Sequence, residues 1–104
     1  PSPGEDFTVR EEIESDTLTY KWFEAGDRAA LVEITARLPE GTTVPDDAEP
    51  VPIGGTVGLC YELDAAQYII LQDGGVTVLI SLKNGDREAL LDYAERFAGE
   101  NEMN

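Results

Sequence analysis

The stretch from Gln67 to Gly99 constrains the fold of this chain more than any other part of the sequence. Two apolar runs rich in β-branched residues, 68–72 and 76–82, flank the pair Asp73-Gly74. Because Asp tolerates positive φ and Gly adopts it freely, this pair predicts a type I′ turn and hence a β-hairpin. The second run alternates with a period of two, and its second face is nearly apolar as well. It is therefore predicted to lie at the centre of a sheet or to be covered on both sides.

A helix is predicted directly after this hairpin. Asn84, Gly85 and Asp86 offer capping groups, and acidic residues at the start suit the positive end of the helix dipole. Apolar residues then recur at the spacing of one helical face, and this stripe consists of Leu90, Tyr93, Ala94 and Phe97. Gly99 predicts a left-handed stop, which places Arg96 in the last turn. We expect the stripe to pack on the preceding hairpin.

More strands are predicted before this unit. Residues 7–13 alternate weakly and contain several acids, so both an edge strand and a short helix remain open. Clearer alternation predicts three strands: Thr17–Glu24, Leu31–Leu38 and Thr56–Leu63. The first two flank a turn at 25–28 and form a second hairpin, in which Lys21 and Glu33 are expected to form an exposed cross-strand ion pair.

The order of these elements predicts an α+β fold. Five or six antiparallel strands form a curved sheet built of hairpins, and the single C-terminal α-helix packs on one of its faces. A chain of 104 residues suits a single domain, 1–104. Within it we expect a flexible N-terminal segment (1–6), a loop rich in proline and acids (39–55), and the hairpin plus helix (67–99).

The charge of the chain excludes some partners. With 22 acidic and 7 basic residues the net charge is −15, which repels nucleic-acid backbones and anionic membrane surfaces. No apolar run approaches the length that spans a bilayer, so no direct membrane insertion is expected in this segment. Two explanations of the acidity remain open: the solubilising surface of a secreted or surface domain, and adaptation to high salt.

The residue types argue against catalysis. The chain has no histidine, which removes the usual general base and imidazole metal ligand. Its one cysteine, Cys60, has no basic neighbourhood in the sequence and is expected to be a small buried hydrophobe. For an enzyme the candidate groups are carboxylate pairs, such as Glu11 with Glu33 or Asp46 with Asp47. In a chain this acidic such pairs are expected by chance, so we predict no enzyme and no cofactor.

The acids of the 39–55 loop also raise the question of a metal. Asp46, Asp47 and Glu49 are oxygen ligands of the kind that calcium prefers. Their spacing is not that of an EF-hand loop, and prolines with acids are typical of a solvated linker. We therefore predict no metal site.

Aromatic residues with polar tips are the best candidates for a binding surface. Tyr20 and Trp22 share one strand face, and Tyr61 and Tyr68 are expected nearby. These four are the predicted ligand-binding residues, with a core position for Trp22 as the alternative. The expected ligand is an unknown protein partner or a small apolar molecule held between the concave sheet face and the helix.

The C-terminal half also resembles a known family. A glycine-led strand (55–62), a hairpin turning on Asp73-Gly74 and the helix REALLDYAERF resemble a bacterial domain of unknown function. That domain occurs in extracytoplasmic parts of anti-sigma-factor-like membrane proteins and lipoproteins. The resemblance covers roughly 51–98, and its helix pattern falls on Glu88, Leu90, Leu91, Ala94 and Phe97. The family often has Trp where this chain has Leu71 or Gln72, and it has no established catalytic residues to carry over.

The resemblance implies a noncatalytic sensory or interaction module of a membrane-anchored or secreted bacterial protein. Its location would be extracellular or at the cell surface. The opening PSPGED is typical of a trimmed end, so we expect the signal or anchor to lie outside this chain. The alternative is a small acidic cytoplasmic regulatory protein, which includes the halophilic case. A third possibility is an enzyme that uses carboxylates.

Overall fold

A computed structural model of the chain describes residues 7–15, 18–35, 44–73 and 76–101. Together they form an α+β fold, in which an open antiparallel sheet of seven strands precedes one C-terminal helix. The strands are β1 (Thr8–Glu14), β2 (Leu18–Ala25), β3 (Arg28–Thr35), β4 (Glu49–Ile53), β5 (Thr56–Leu63), β6 (Ala66–Asp73) and β7 (Val76–Lys83). The helix α1 comprises Arg87–Asn101.

The sheet combines two meanders. Its strand order is β1-β2-β3-β7-β6-β5-β4, so β3 and β7 join the two meanders at the centre and β1 and β4 form the edges. The central position of β7 agrees with its two nearly apolar faces. The weakly alternating segment at 7–13 corresponds to the edge strand β1, whose side chains are all exposed. Phe7, just before the strand, is half-buried against the core. The expected flexible segment at 1–6 lies outside the described residues.

The predicted count of five or six strands is too low against the seven observed, because β4 lies inside the segment predicted as a proline-rich loop. Pro50 and Pro52 alternate along β4, and proline has no N–H to donate to a ladder. An edge strand tolerates proline on the side that faces no neighbour, and among the described strands β4 pairs only with β5. The loop is therefore shorter than the 39–55 that the sequence predicts.

Two hairpin predictions also need correction. Lys21 pairs in register with Val32 and Glu33 with Tyr20, so Lys21 and Glu33 point to opposite faces of the sheet. The Lys21 ammonium lies 3.2 Å from the Glu12 carboxylate instead. Asp73 ends β6 and pairs with Val76, so it is not a central residue of that turn. Gly74, the other half of the predicted turn, lies outside the described residues.

One face of the sheet carries the core. Four neighbouring strands contribute one cross-strand row, Val32, Ile80, Ile69 and Cys60, and all four side chains are buried. The predicted helix stripe packs on this face: Leu90, Tyr93, Ala94 and Phe97 are all buried. At roughly 2 kcal/mol per large side chain, this burial is a main source of stability for so short a chain.

Helix α1 begins as the sequence predicts but ends later. The Asp86 carboxylate accepts a hydrogen bond from the Ala89 backbone N–H at 2.8 Å, which caps the first turn. The prediction that Gly99 stops the helix is wrong, because α1 continues to Asn101. Arg96 is consequently not in the last turn, and it pairs with Asp92 one turn earlier on the helix. In the described part of the chain, no helix is long and apolar enough to cross a membrane.

Candidate ligand-binding face

The sheet has a second face, which we call the helix-free face because α1 packs on the opposite side. The strand register places Trp22, Leu31, Ser81, Tyr68 and Tyr61 on this face, in one row across five strands. No helix or strand within the described ranges packs over them. Along this row Trp22 is exposed, Leu31, Ser81 and Tyr68 are half-buried, and Tyr61 is buried.

All four predicted ligand-binding residues lie on the helix-free face. Tyr61 and Tyr68 stack, with their ring centroids 5.0 Å apart and their planes within 6° of each other. Trp22 lies in the same row, three strands away from Tyr68. Tyr20 lies in the neighbouring row, directly opposite Glu33. The pairing register thus brings four residues from two distant hairpins onto one surface.

The alternative position for Trp22 is wrong, because Trp22 does not belong to the core. Its side chain is 36% exposed, whereas the next residue, Phe23, is 3% exposed and points into the core. Alternation along β2 puts the two rings on opposite faces. Phe23, which pairs in register with Ala30, is the aromatic residue of β2 that packs in the core.

A shallow cavity of about 290 Å³ lies on the helix-free face. Its lining comprises Trp22, Ala29, Leu31, Asp64, Ala66, Tyr68, Ser81 and Lys83. Sequence reasoning found the two aromatic residues and missed the other six. Lys83 and Ser81 could have been predicted from the sequence, since they alternate with the core residues of β7 and must share the opposite face.

A second cavity of about 240 Å³ lies on the other side, between the sheet and α1. Phe7, Arg28, Leu90 and Tyr93 contribute to its lining, and none of the four predicted aromatics does. The four predicted aromatic residues therefore do not lie in the space between sheet and helix. The helix stripe packs against the Ile80 side of β7, which leaves the aromatic row on the outside.

The carboxylates around Tyr20 shape the electrostatics of the helix-free face. The pKa of Tyr20 is raised first by desolvation and then by the negative charges of Glu11 and Glu33. Desolvation also raises the pKa of the half-buried Glu33 carboxyl. Within the described ranges no cation lies within ion-pair distance of Glu33. The pair Glu11 and Glu33 thus borders an open surface and creates negative potential there.

The other candidate groups are dispersed. Asp46 and Asp47 lie in an exposed turn, where the Ala48 N–H donates to the Pro45 carbonyl at 3.1 Å. Among the described residues, no three His, Cys, Asp or Glu side chains converge as a metal site would require. Cys60 is a free, buried thiol, as the sequence predicts. Desolvation raises its pKa and the positive charge of Arg87 only partly offsets this, so the thiol is a poor nucleophile.

Comparison with known proteins adds no assignment: no protein-family model, no curated protein and no solved structure matches the chain.

Proposed function

We propose that this chain is a noncatalytic interaction module of a membrane-anchored or secreted bacterial protein, and that it binds its ligand on the helix-free face. The observation that carries this proposal is the aromatic row. Trp22 is partly exposed there, in line with the stacked pair Tyr61 and Tyr68. Large aromatic side chains that keep contact with water supply much of the binding energy at recognition surfaces.

In this proposal the sheet curves so that the helix-free face is concave towards the ligand. Burial supports that shape. Ile70 is 7% exposed and Tyr61 6% exposed, although no described helix or strand packs on their side. Neighbouring side chains on a concave surface bury one another, and such a surface presents a ligand with walls as well as a floor.

The chemistry of the described residues supports a noncatalytic role. The one thiol is buried with a raised pKa, and the carboxylates near Tyr20 border an open surface. Acid–base catalysis by carboxylates needs a cleft that separates their pKa values. An extracytoplasmic location is supported by the sequence resemblance over 51–98, which corresponds to β4–β7 and most of α1.

The binding face is tested by fragment mapping in solution. Indole, phenol and cyclohexanol are titrated into the isotope-labelled protein, and the amide shifts are followed by NMR. The proposal expects the largest shifts on the helix-free face, around Trp22 and Tyr68. Shifts that cluster instead around Phe7 and Tyr93 would locate the binding cavity between sheet and helix and contradict it.

The location is tested in the full-length reading frame that encodes this chain. A signal peptide, lipobox or transmembrane helix joined to residues 1–104 is the expected result. The chain, expressed with its natural flanks, should then resist cytoplasmic labelling and become accessible to protease added outside intact cells. Retention in the cytoplasm would favour the small regulatory protein over the surface module.

A further inference from the structure

The shallow cavity on the helix-free face, which we call the Trp22–Tyr68 depression, has two aromatic walls, and Leu31 and smaller side chains form its floor. Trp22 and Tyr68 occupy the same cross-strand row with Leu31 and Ser81 between them. Three strand spacings separate their backbones, which corresponds to about 14 Å. Ala29 and Ala66, which flank Lys83 in the next row, complete the floor. Because the residues between the two rings are smaller than the rings, they leave a shallow trough that is open to solvent.

One end of the depression carries both signs of charge. Lys83 pairs in register with Ala29 on one side and Ala66 on the other, and Asp64 lies in the adjoining β5–β6 turn. Within the described ranges neither group forms an ion pair. Together with the Ser81 hydroxyl they offer hydrogen-bond donors and acceptors without a net charge.

These features select the ligand by its chemistry. The net charge of −15 opposes the approach of an anion, and the lining itself is neutral because it holds one ammonium, Lys83, and one carboxylate, Asp64. Two aromatic walls favour a flat ligand with apolar faces. The mixed polar end favours a ligand edge that both donates and accepts hydrogen bonds. A sugar ring combines these properties, since its C–H faces are apolar and its rim carries neutral hydroxyl groups.

We propose that the Trp22–Tyr68 depression binds a neutral saccharide. This inference rests on the proposed function, which it deepens by naming the ligand class. The sugar face stacks on Trp22 and Tyr68, and the sugar hydroxyls contact Asp64, Ser81 and Lys83. The length of the trough suits a short oligosaccharide rather than a single ring.

The inference is tested with Trp22 as the reporter, because it is the one tryptophan of the chain. Neutral oligosaccharides of glucose, mannose, xylose and N-acetylglucosamine are titrated to about 10 mM while the emission is recorded. We expect at least one to shift the emission saturably. Affinity should be nearly independent of salt, since no charge is neutralised on binding. Oligogalacturonate, an anionic counterpart, should bind more weakly, because the net charge of −15 repels it.

Calorimetry on variants assigns the site. Trp22→Ala should weaken binding of the responding sugar at least about tenfold. Val57→Ala is the matched control, because Val57 is an exposed residue of the same face that does not line the depression. It should retain the parent affinity. The circular dichroism spectrum of each variant verifies its fold.

Three results would overturn the saccharide proposal: no emission change with any neutral sugar, tighter binding of the anionic counterpart, or equal losses in both variants. These failures are distinguishable from failure of the proposed function. If no sugar binds while the fragments shift amides on the helix-free face, the proposed binding face is retained and only the saccharide proposal is rejected. If the fragments also map elsewhere, both fall.

Discussion

At the scale of single residues, Ala65 has a backbone conformation that side chains with a Cβ rarely adopt. It follows Asp64 in the two-residue turn between β5 and β6, and the φ angles of the two residues are 49° and 66°. Positive φ at both central residues is characteristic of a type I′ turn, in which glycine and asparagine are preferred. Asp tolerates this region, whereas alanine there costs roughly 1–2 kcal/mol.

Ala65→Gly should therefore stabilise the protein. The relief of strain exceeds the entropy that glycine adds to the unfolded chain, so we expect a gain of about 0.5–1 kcal/mol. Urea unfolding followed by circular dichroism measures it. Ala66→Gly, one residue later in a strand where Ala66 is buried, is the control and should destabilise. A loss of stability in Ala65→Gly would show that the residue does not have positive φ in solution.

A second prediction at this scale concerns Glu33, whose carboxyl pKa is raised by desolvation above the ordinary value of 4.5. A raised folded-state pKa stabilises the fold below the unfolded pKa, and this contribution is lost as the pH rises through the folded pKa. At neutral pH the desolvated carboxylate therefore destabilises the fold, and Glu33→Gln should raise the free energy of unfolding. The gain should vanish near pH 3, where the carboxyl is protonated.

Urea unfolding at both pH values tests this. Glu62→Gln is the control, because Glu62 is exposed. This substitution also removes one negative charge, but it relieves no desolvation. An equal gain in both variants at neutral pH would mean that only the net charge matters. The Glu33 environment would then have no separate effect on stability.

At the scale of elements, the attachment of α1 to the sheet is the feature most open to test. Phe97 is 8% exposed and packs in the core cluster. Phe97→Ala should therefore cost about 3–5 kcal/mol, because it removes a buried ring and leaves a cavity. That is a large share of the stability of a small domain. The melting temperature measures the loss, and a value within a degree or two of the parent would contradict a docked helix.

The start of α1 gives a smaller and independent effect. Asp86→Ala removes the cap that accepts from the Ala89 N–H and should cost about 1 kcal/mol. Asp86→Asn keeps an acceptor at the same place and should recover most of that loss. Chemical denaturation of the three proteins gives the comparison. If Asn and Ala were equally destabilising, the capping hydrogen bond would not explain the effect.

The elements also show where the sequence sufficed and where it did not. Alternation identified β2, β5 and β7 because the apolar residues of each recur at every second position. In β7 these residues lie on the core face, whereas in β2 and β5 they lie on the helix-free face, beside Trp22 and Tyr61. β4 was not predicted, because its two prolines argue against a strand in the interior of a sheet. Proline is tolerated in an edge strand, but the position of a strand in the sheet depends on the whole topology and cannot be read from the segment itself. The end of α1 was missed because Gly99 signals a stop without enforcing one.

The candidate site was partly predictable for a related reason. Polar-tipped aromatics suggested Tyr20, Trp22, Tyr61 and Tyr68, and alternation within each strand was enough to group them in pairs. Which face the helix covers was not predictable, because both faces of the central strands are apolar. The cavity residues Asp64 and Lys83 come together only through the pairing of β5, β6 and β7.

At the scale of the whole molecule, the surplus of negative charge is the dominant property. Four cations in the described part of the chain, Arg10, Lys21, Arg87 and Arg96, each pair with a carboxylate. Every one of these pairs is at the surface, where water and salt screen it, so each contributes little to stability. With 22 acids against 7 bases, most carboxylates remain without such compensation. The folded state must repel itself more than the expanded chain does.

Salt should therefore stabilise the fold, and its range of action separates the two explanations of the acidity. Screening is nearly complete at physiological ionic strength, where the Debye length is about 8 Å. For a surface domain of a non-halophilic bacterium, which we expect, the melting temperature should rise from dilute buffer and then level off. A halophilic protein would gain stability well into molar potassium chloride, beyond simple screening. A melting series in potassium chloride decides between them, with sucrose as the nonionic control for solute exclusion. A continued rise in salt that exceeds the rise in sucrose would exclude the surface-domain explanation of the charge and favour the halophilic regulatory protein.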